Sequence, residues 1–259
     1  LERMARQAME SPSAETNFRT KRLNQWMSSS AAWITSQDWD ATSGDRPPIE
    51  HFAGKPCYIG LDLASVSDFA SMALIFVEDG KLYPYVQHYL PEDTVSNATG
   101  FIGAKYREWT NAGYITTTEG NITDLSYIEE DVLKAMGTYN VREIAYDAYG
   151  ATQLSASLID KGAPMVKFAQ GIMSMSDPSK ELEKSVKAKL IVHGGDPVMS
   201  WMVSNCVLHI DPNDNIKIKK EGDKNKIDGV IALVMALGRL KVNGGLQMDV
   251  YSKRGIRTL

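Results

Sequence analysis

Three aspartates stand where an apolar segment gives way to polar residues: Asp62 in YIGLDLAS, Asp147 in EIAYDAYGA and Asp228 in KNKIDGVIALVMALG. A carboxylate in an apolar environment costs free energy unless it is paired or binds a cation. Several such acids in one chain therefore predict a shared metal site. Each acid alone also has an ordinary explanation: Asp228 as a helix N-cap, Asp147 as a strand-end turn residue, and Asp62 as a hydrogen-bonding partner of the following loop.

The segments that must position these acids indicate a mixed α/β fold. Residues 56–90 contain three runs rich in strand-forming residues, with Glu78-Asp79-Gly80 as the turn between the last two, which predicts a three-stranded meander. Helix-like and strand-like segments then alternate, and a strongly apolar helix begins near Asp228. We expect a mixed central sheet with helices on both faces, in which the strand of Asp62 lies beside the strand of Asp147.

This placement of acids is the constellation of an RNase H-like nuclease: one acid in the first strand of a meander, one at the end of a later central strand and one on a C-terminal helix. Carboxylates of this kind hold two divalent ions, one that activates water and one that stabilises the leaving oxygen. Oxygen ligands favour Mg²⁺ or Mn²⁺ over zinc. The acids therefore predict a two-metal-ion endonuclease.

Four strings, in this order and at these separations, resemble the C-terminal nuclease domain of tailed-bacteriophage large terminase subunits: YIGLDLASVSDFASMAL, AYDAYGA, HGGDPVMSWMVSNCVL and KIDGVIALVMALGR. The preceding ETNFRTKRLNQWMSSSAAWI is similar to the segment that joins the ATPase and nuclease halves in that family. The resemblance covers nearly the whole chain. It implies a metal-dependent endonuclease that cuts concatemeric viral DNA in the host cytoplasm at the start and end of capsid filling.

The resemblance also implies the identity of the site residues. The catalytic and metal-binding acids would be Asp62, Asp147 and Asp228, with two Mg²⁺ or Mn²⁺ ions. Asp68, on the loop after the first of these, is a further candidate that would support a metal through water, and a solvated loop acid is the alternative. Some relatives have a histidine or an acid three residues before the final aspartate. This chain has Asn225 there, and Asp223 is a candidate substitute.

Charge is distributed unevenly along the chain. The net charge of −4 disfavours a protein that coats nucleic acid over its whole surface, yet residues 217–259 contain ten Lys or Arg residues and four acids. An ordinary solvated face would explain this segment as well. We expect it to bind the phosphates of double-stranded DNA without reading base sequence, and the candidate contacts are Lys219, Lys220, Lys224 and Lys226.

Residues 1–50 show no strand pattern and are predicted to be a linker arm, with residues 51–259 as the RNase H-like nuclease domain. Two adjacent prolines at positions 47 and 48 mark the boundary. Three tryptophans of the arm are expected to pack against the body, because each would otherwise expose a large apolar area: Trp26, Trp33 and Trp39.

The chain contains no GxxxxGK[ST] phosphate loop, so we expect no ATP hydrolysis by that route. Because the first residue is Leu1, we interpret the chain as a fragment whose ATPase domain precedes it. In the intact protein the resemblance implies three partners besides DNA: that ATPase domain, the portal ring and the small terminase subunit.

Composition excludes several classes of protein. Hydrophobic residues make up 43% of the 259 positions and charged residues 23%, which argues against collagen, coiled coil or wholesale disorder. The longest apolar stretch, residues 230–237, is far shorter than a membrane span. Two cysteines, Cys57 and Cys206, are too few for a disulfide framework or a zinc site. We expect a cytoplasmic protein with no membrane partner.

Three other classes of protein remain open. Another RNase H-like enzyme, such as a Holliday-junction resolvase or a transposase, would share the metal chemistry. A sugar-kinase or actin-like ATPase also begins with a GLD-type strand, but it needs a glycine-rich phosphate-binding hairpin, and SVSDFA contains no glycine. A packaging scaffold that has lost metal binding is the third, and retention of all three acids argues against it.

Two residues of the HGGDPVMSWMVSNCVL segment have structural interpretations. His193 stands beside two glycines, and we favour a C-terminal cap of a long helix predicted over residues 175–195, rather than a catalytic base. Asn205 is expected to hold the backbone of a neighbouring strand rather than to contact DNA.

Overall fold

The computed structural model describes residues 33–63, 67–148, 152–222 and 225–245. Its strands are β1 Pro56–Asp62, β2 Ala70–Glu78, β3 Lys81–Pro91, β4 Ile115–Thr118, β5 Asn140–Tyr146, β6 Met165–Lys167, β7 Cys206–Ile210 and β8 Ile216–Lys220. Its α-helices are α1 Ser36–Asp40, α2 Glu92–Asn97, α3 Gly100–Asn111, α4 Leu125–Thr138, α5 Thr152–Asp160, α6 Ile172–Lys187, α7 Pro197–Ser204 and α8 Asp228–Val242.

Six strands form one mixed sheet in the order β4-β3-β2-β1-β5-β6, and β7 and β8 form a separate hairpin. The antiparallel meander of β1, β2 and β3 confirms the sequence prediction. Its second turn has only two residues, Asp79 and Gly80, at φ values of 50° and 72°. Positive φ at both positions matches the twist of the flanking strands, and this pair of residue types adopts it readily.

Strand β1 lies between β2 and β5 and is parallel to β5, with Leu61 opposite Tyr146. The next residue along each strand is one of the predicted catalytic acids, Asp62 and Asp147. Because the two strands run in the same direction, both acids emerge at the same edge of the sheet. The predicted pairing of these strands is confirmed.

Helix α8 packs across β1 and β2 on one face of the sheet. Gly60 makes this close approach possible, because a Cβ atom there would overlap the backbone carbonyl of Ala232 in the helix. The helix is buried along nearly its whole length, since α6 and α7 cover its other side. The predicted apolar helix beginning near Asp228 is therefore confirmed.

Helices α4 and α5 cover the opposite face of the sheet. Ile128 and Val132 of α4 and Leu158 of α5 join Ile59 and Ile144 of the sheet in a second core. The protein thus has a mixed α/β architecture with helices on both faces, as predicted. None of the helices in the described part of the chain is long and apolar enough to cross a membrane.

The tryptophans at the start of the described chain pack into the body. Trp33 and Trp39 are buried in the same core as α8, and Trp39 Nε1 donates to Ser200 Oγ of α7 at 3.1 Å. The predicted packing is confirmed for these two residues, whereas Trp26 lies outside the described residues. The domain boundary near residue 50 stays a prediction.

The long helix predicted over residues 175–195 is wrong at its C-terminal end. Helix α6 ends at Lys187, and Lys189 adopts a left-handed φ of 55°. The chain then runs beside the start of β3, where Leu82 donates to Leu190 O at 2.7 Å and accepts from Val192 N at 2.9 Å. Pairing with the sheet replaces the last turns of the predicted helix. The short polar strand β4 is a further element that sequence analysis missed.

His193 is consequently not a helix cap. Its ring stacks on Trp39 with 4.0 Å between centroids, Nε2 donates to Trp39 O at 2.9 Å, and Nδ1 accepts from Gly195 N at 3.2 Å. Burial lowers the pKa of His193, which keeps the ring neutral, as these two bonds require. The residue holds this loop on α1.

Candidate active site

Three elements bring the predicted acids to one region. Asp62 is the last residue of β1, Asp147 directly follows β5, and Asp228 is the first residue of α8, which lies on β1. The N-cap position of α8 belongs to Ile227, so the interpretation of Asp228 as an N-cap is wrong. Asp228 lies in the first turn of the helix.

Burial and neighbouring charge both act on the ionisation of Asp62. Burial raises its pKa well above the usual value, and three further carboxylates raise it through their negative charge: Asp228, Asp147 and Asp68. Gln170 Nε2 donates a hydrogen bond of 2.8 Å to Asp62 Oδ1, and this bond lowers the pKa of Asp62. We call these four carboxylates the acid cluster, since each contributes charge at Asp62.

Asp228 shows the same direction of pKa shift. Burial and the charge of Asp68 raise the pKa of Asp228 to about 6. Its own backbone N–H and the positive charges of Lys226 and Lys220 act in the opposite direction. The acid cluster therefore holds more negative charge than its surroundings neutralise, which is the electrostatic condition that favours cation binding.

The cluster is not assembled into a closed ligand set. Among the residues that the structure describes, no three His, Cys, Asp or Glu side chains form a group that could hold a metal ion as they stand. Two members of the cluster bond to other groups. Asp62 accepts from Gln170, and Asp68 pairs with Lys226.

Asp68 is held firmly in its loop. Lys226 Nζ lies 2.7 Å from Asp68 Oδ1 and 2.8 Å from Oδ2. The backbone N–H of Phe69 donates to Oδ1 at 2.8 Å, and Thr123 Oγ1 donates to the backbone carbonyl of Asp68 at 3.1 Å. Asp68 is therefore an ion-paired acid that borders solvent, and its support of a metal stays a prediction, as does the alternative of a solvated loop acid.

A groove of about 470 Å³ lies beside the acid cluster. Its lining includes Asp62, Gln170 and Asp228 together with three lysines of β8: Lys217, Lys219 and Lys220. Two of the predicted DNA contacts, Lys219 and Lys220, therefore face the same groove as two of the predicted catalytic acids.

The other predicted positions have different surroundings. Lys226 is paired with Asp68, while Lys224 and the candidate ligand Asp223 lie outside the described residues. Asn225 donates its side-chain amide to the carbonyl of Glu221. Asn205 is buried and donates to Lys226 O at 3.0 Å, so it holds the backbone of the segment before α8 rather than that of a strand.

Sequence analysis missed Gln170. The residue follows β6, which is parallel to β5, so it emerges at the same edge of the sheet as Asp62 and Asp147. A polar side chain directly after a predicted parallel strand was the available signal. The isolated glutamine resembled no catalytic motif, and the short strand of three residues gave a weak pattern.

The mixed sheet has helices on both faces and carries acids at the ends of its central parallel strands. Together with the strand order, these features define an RNase H-like nuclease fold. The family model for the terminase large subunit, endonuclease domain, matches residues 1–243. The chain belongs to this family, and the resemblance inferred from the sequence is confirmed.

Individual relatives agree with this assignment. The crystal structure of the large terminase of bacteriophage HK97 superposes with a TM-score of 0.73 at 27% identity, covering 92% of this chain and 49% of that one. The terminase large subunit of phage HK97 is 28% identical over 241 residues, covering 92% of this chain and 47% of that protein. Protein YmfN of Escherichia coli K12 is 36% identical over 255 residues, covering 93% of this chain and 56% of that protein. The chain spans about half the length of these relatives.

Proposed function

We propose that this chain is the DNA-cleaving part of a terminase and hydrolyses phosphodiester bonds of concatemeric viral DNA during genome packaging. The observation that carries the proposal is the groove whose lining combines Asp62 and Asp228 with Lys219 and Lys220. Lysines bind phosphate without regard to base sequence, and the acids provide oxygen ligands beside that phosphate.

The acid cluster fits divalent cations. Its donors are all carboxylate oxygens, which suits Mg²⁺ or Mn²⁺. The raised pKa values of Asp62 and Asp228 reflect burial first and neighbouring negative charge second, and a bound cation would favour the ionised form of both groups. Two bound ions would supply an activated water and compensate the charge that develops on the leaving oxygen. Asp62, Asp147 and Asp228 are the proposed ligands, and Asp68 is a further candidate.

The residues that line the groove have separate tasks in this proposal. Lys219 and Lys220 bind the DNA backbone and bring a phosphate to the acids. Gln170 orients Asp62 and favours its ionised form through the 2.8 Å hydrogen bond. We further propose three partners in the intact terminase: an ATPase domain, the portal ring and the small subunit.

Plasmid cleavage tests the proposal. We expect supercoiled plasmid incubated with the chain to be nicked and linearised in Mg²⁺ or Mn²⁺ and to stay intact with a chelator. Cleavage that persists in chelator would contradict the metal requirement. An intact plasmid in both metals would favour the remaining alternative, a packaging scaffold that has lost activity.

A further inference from the structure

The ion pair between Asp68 and Lys226 joins two segments that are 158 residues apart in the chain. Both segments are anchored independently of the pair. On one side buried Thr123 holds the backbone of Asp68, and on the other buried Asn205 holds the backbone of Lys226. The backbone therefore stays in place when the side chains exchange partners.

Lys226 is closely engaged with the acid cluster. Its ammonium contacts both oxygens of Asp68 and lowers the pKa of Asp228. The side chains of Lys226 and Asp68 are 19% and 35% exposed, so the pair borders solvent rather than lying sealed in the core. Solvent therefore reaches both side chains of the pair.

We propose that Lys226 is an exchangeable counterion, which neutralises Asp68 while the site is free of metal and turns to a DNA phosphate once divalent cations are bound. This inference rests on the proposed function. It assigns Lys226 a role different from that of Lys219 and Lys220, because its phosphate contact depends on the metal state of the acid cluster.

Electrostatics gives the exchange its direction. A divalent cation among these carboxylates adds two positive charges close to the Lys226 ammonium, which then loses its attraction to Asp68. A DNA phosphate beside the cluster offers the displaced ammonium a new partner. Metal binding and DNA binding are thereby coupled, and each strengthens the other by the same factor.

Metal binding alone provides the first test, with the rise in melting temperature followed during titration with Mg²⁺. Lys226→Met removes the competing ammonium, so we expect the half-saturating Mg²⁺ concentration to fall roughly two- to fivefold. Lys161→Met is the matched control, because Lys161 pairs with Glu129 at 2.8 Å on another surface. We expect it to leave that concentration unchanged. An unchanged or higher concentration for Lys226→Met would overturn the inference.

DNA binding provides the second test, measured as the anisotropy of a labelled duplex with and without Ca²⁺, which replaces Mg²⁺ to prevent cleavage. Without metal, we expect Lys226→Met to bind DNA as tightly as the unaltered chain does. With Ca²⁺, we expect the variant to bind DNA roughly two- to fivefold more weakly than the unaltered chain. Lys219→Met should weaken binding by the same factor in both conditions. Equal weakening in both conditions by Lys226→Met would show an ordinary phosphate contact and refute the exchange.

The reciprocal change isolates the pair itself. Asp68→Asn should release Lys226 without metal and raise the metal-free affinity for DNA, and the double variant with Lys226→Met should lose that gain. A gain that survives in the double variant would reflect only the lost negative charge and would contradict the inference. A failure of the proposed function would be distinguishable from a failure of this inference. In that case the unaltered chain itself would show neither a Mg²⁺-dependent shift in melting temperature nor plasmid cleavage.

Discussion

Asp62 illustrates how local environment prepares a carboxylate for a cation. Its position at the end of a buried strand removes water, and its neighbours add negative charge, so its ionised form is disfavoured on both grounds. The hydrogen bond from Gln170 favours ionisation of Asp62. Gln170 is therefore a positioning residue in the proposed site, acting through Asp62.

Replacement of Gln170 tests this role. Gln170→Leu removes the donor at similar volume, so the pKa of Asp62 should rise further and the Mg²⁺ concentration needed for half-maximal plasmid nicking should increase roughly tenfold. The rate at saturating Mg²⁺ should change less, because the metal itself then holds Asp62 ionised. Gln153→Leu, at an exposed position of α5, is the control. A loss of rate at saturating metal with no change in metal dependence would contradict the assigned role.

Residue chemistry was the part of the site that sequence could predict best. Acids at the ends of apolar segments are visible in the sequence because burial of a lone carboxylate is costly. The pairing of Asp68 with Lys226 was not predictable, since it joins loops 158 positions apart. Gln170 was not predicted either, because amides are common in loops and its hydrogen bond to Asp62 depends on the placement of β6.

At the scale of elements, the contact between β1 and α8 sets the position of two proposed ligands at once. Asp62 ends β1, Asp228 begins α8, and Gly60 lets the two backbones approach closely. The meander and the apolar helix were predictable from strongly periodic segments. The end of α6 and the strand β4 were not, because both depend on pairing with β3 rather than on local propensity.

Gly60→Ala tests the importance of this contact. The added methyl group would overlap the carbonyl of Ala232, so α8 must shift, and we expect the free energy of unfolding to fall by about 3 kcal/mol. Gly137→Ala is the matched control, because its methyl group meets nothing within 4 Å in α4, and it should raise stability by about 0.5 kcal/mol. Urea denaturation measures both changes. Equal stability of Gly60→Ala and the unaltered chain would contradict the close packing described.

At the scale of the whole molecule, the groove forms between the main sheet and the separate hairpin of β7 and β8. The hairpin docks on α6 through a 3.0 Å hydrogen bond from Ile216 N to Ser176 Oγ and a 2.6 Å bond from Lys180 Nζ to Asp214 O. This docking carries the lysines of β8 to the acids. The basic character of the segment was predictable from composition, whereas its position in the same groove as Asp62 required the tertiary contacts of α6.

The central claim is that three acids hold the metal ions used for cleavage. Its most direct test is to measure plasmid nicking and melting temperature together on three variants: Asp62→Asn, Asp147→Asn and Asp228→Asn. Each should abolish plasmid nicking and the Mg²⁺-induced rise in melting temperature while the domain stays folded. Because the folded-state pKa of Asp62 lies above its unfolded value, ionised Asp62 lowers the unfolding free energy at neutral pH, and Asp62→Asn should be slightly more stable without metal. Asp93→Asn, on exposed α2, should behave as the unaltered chain does. Full nicking activity in Asp62→Asn or Asp228→Asn would contradict the account.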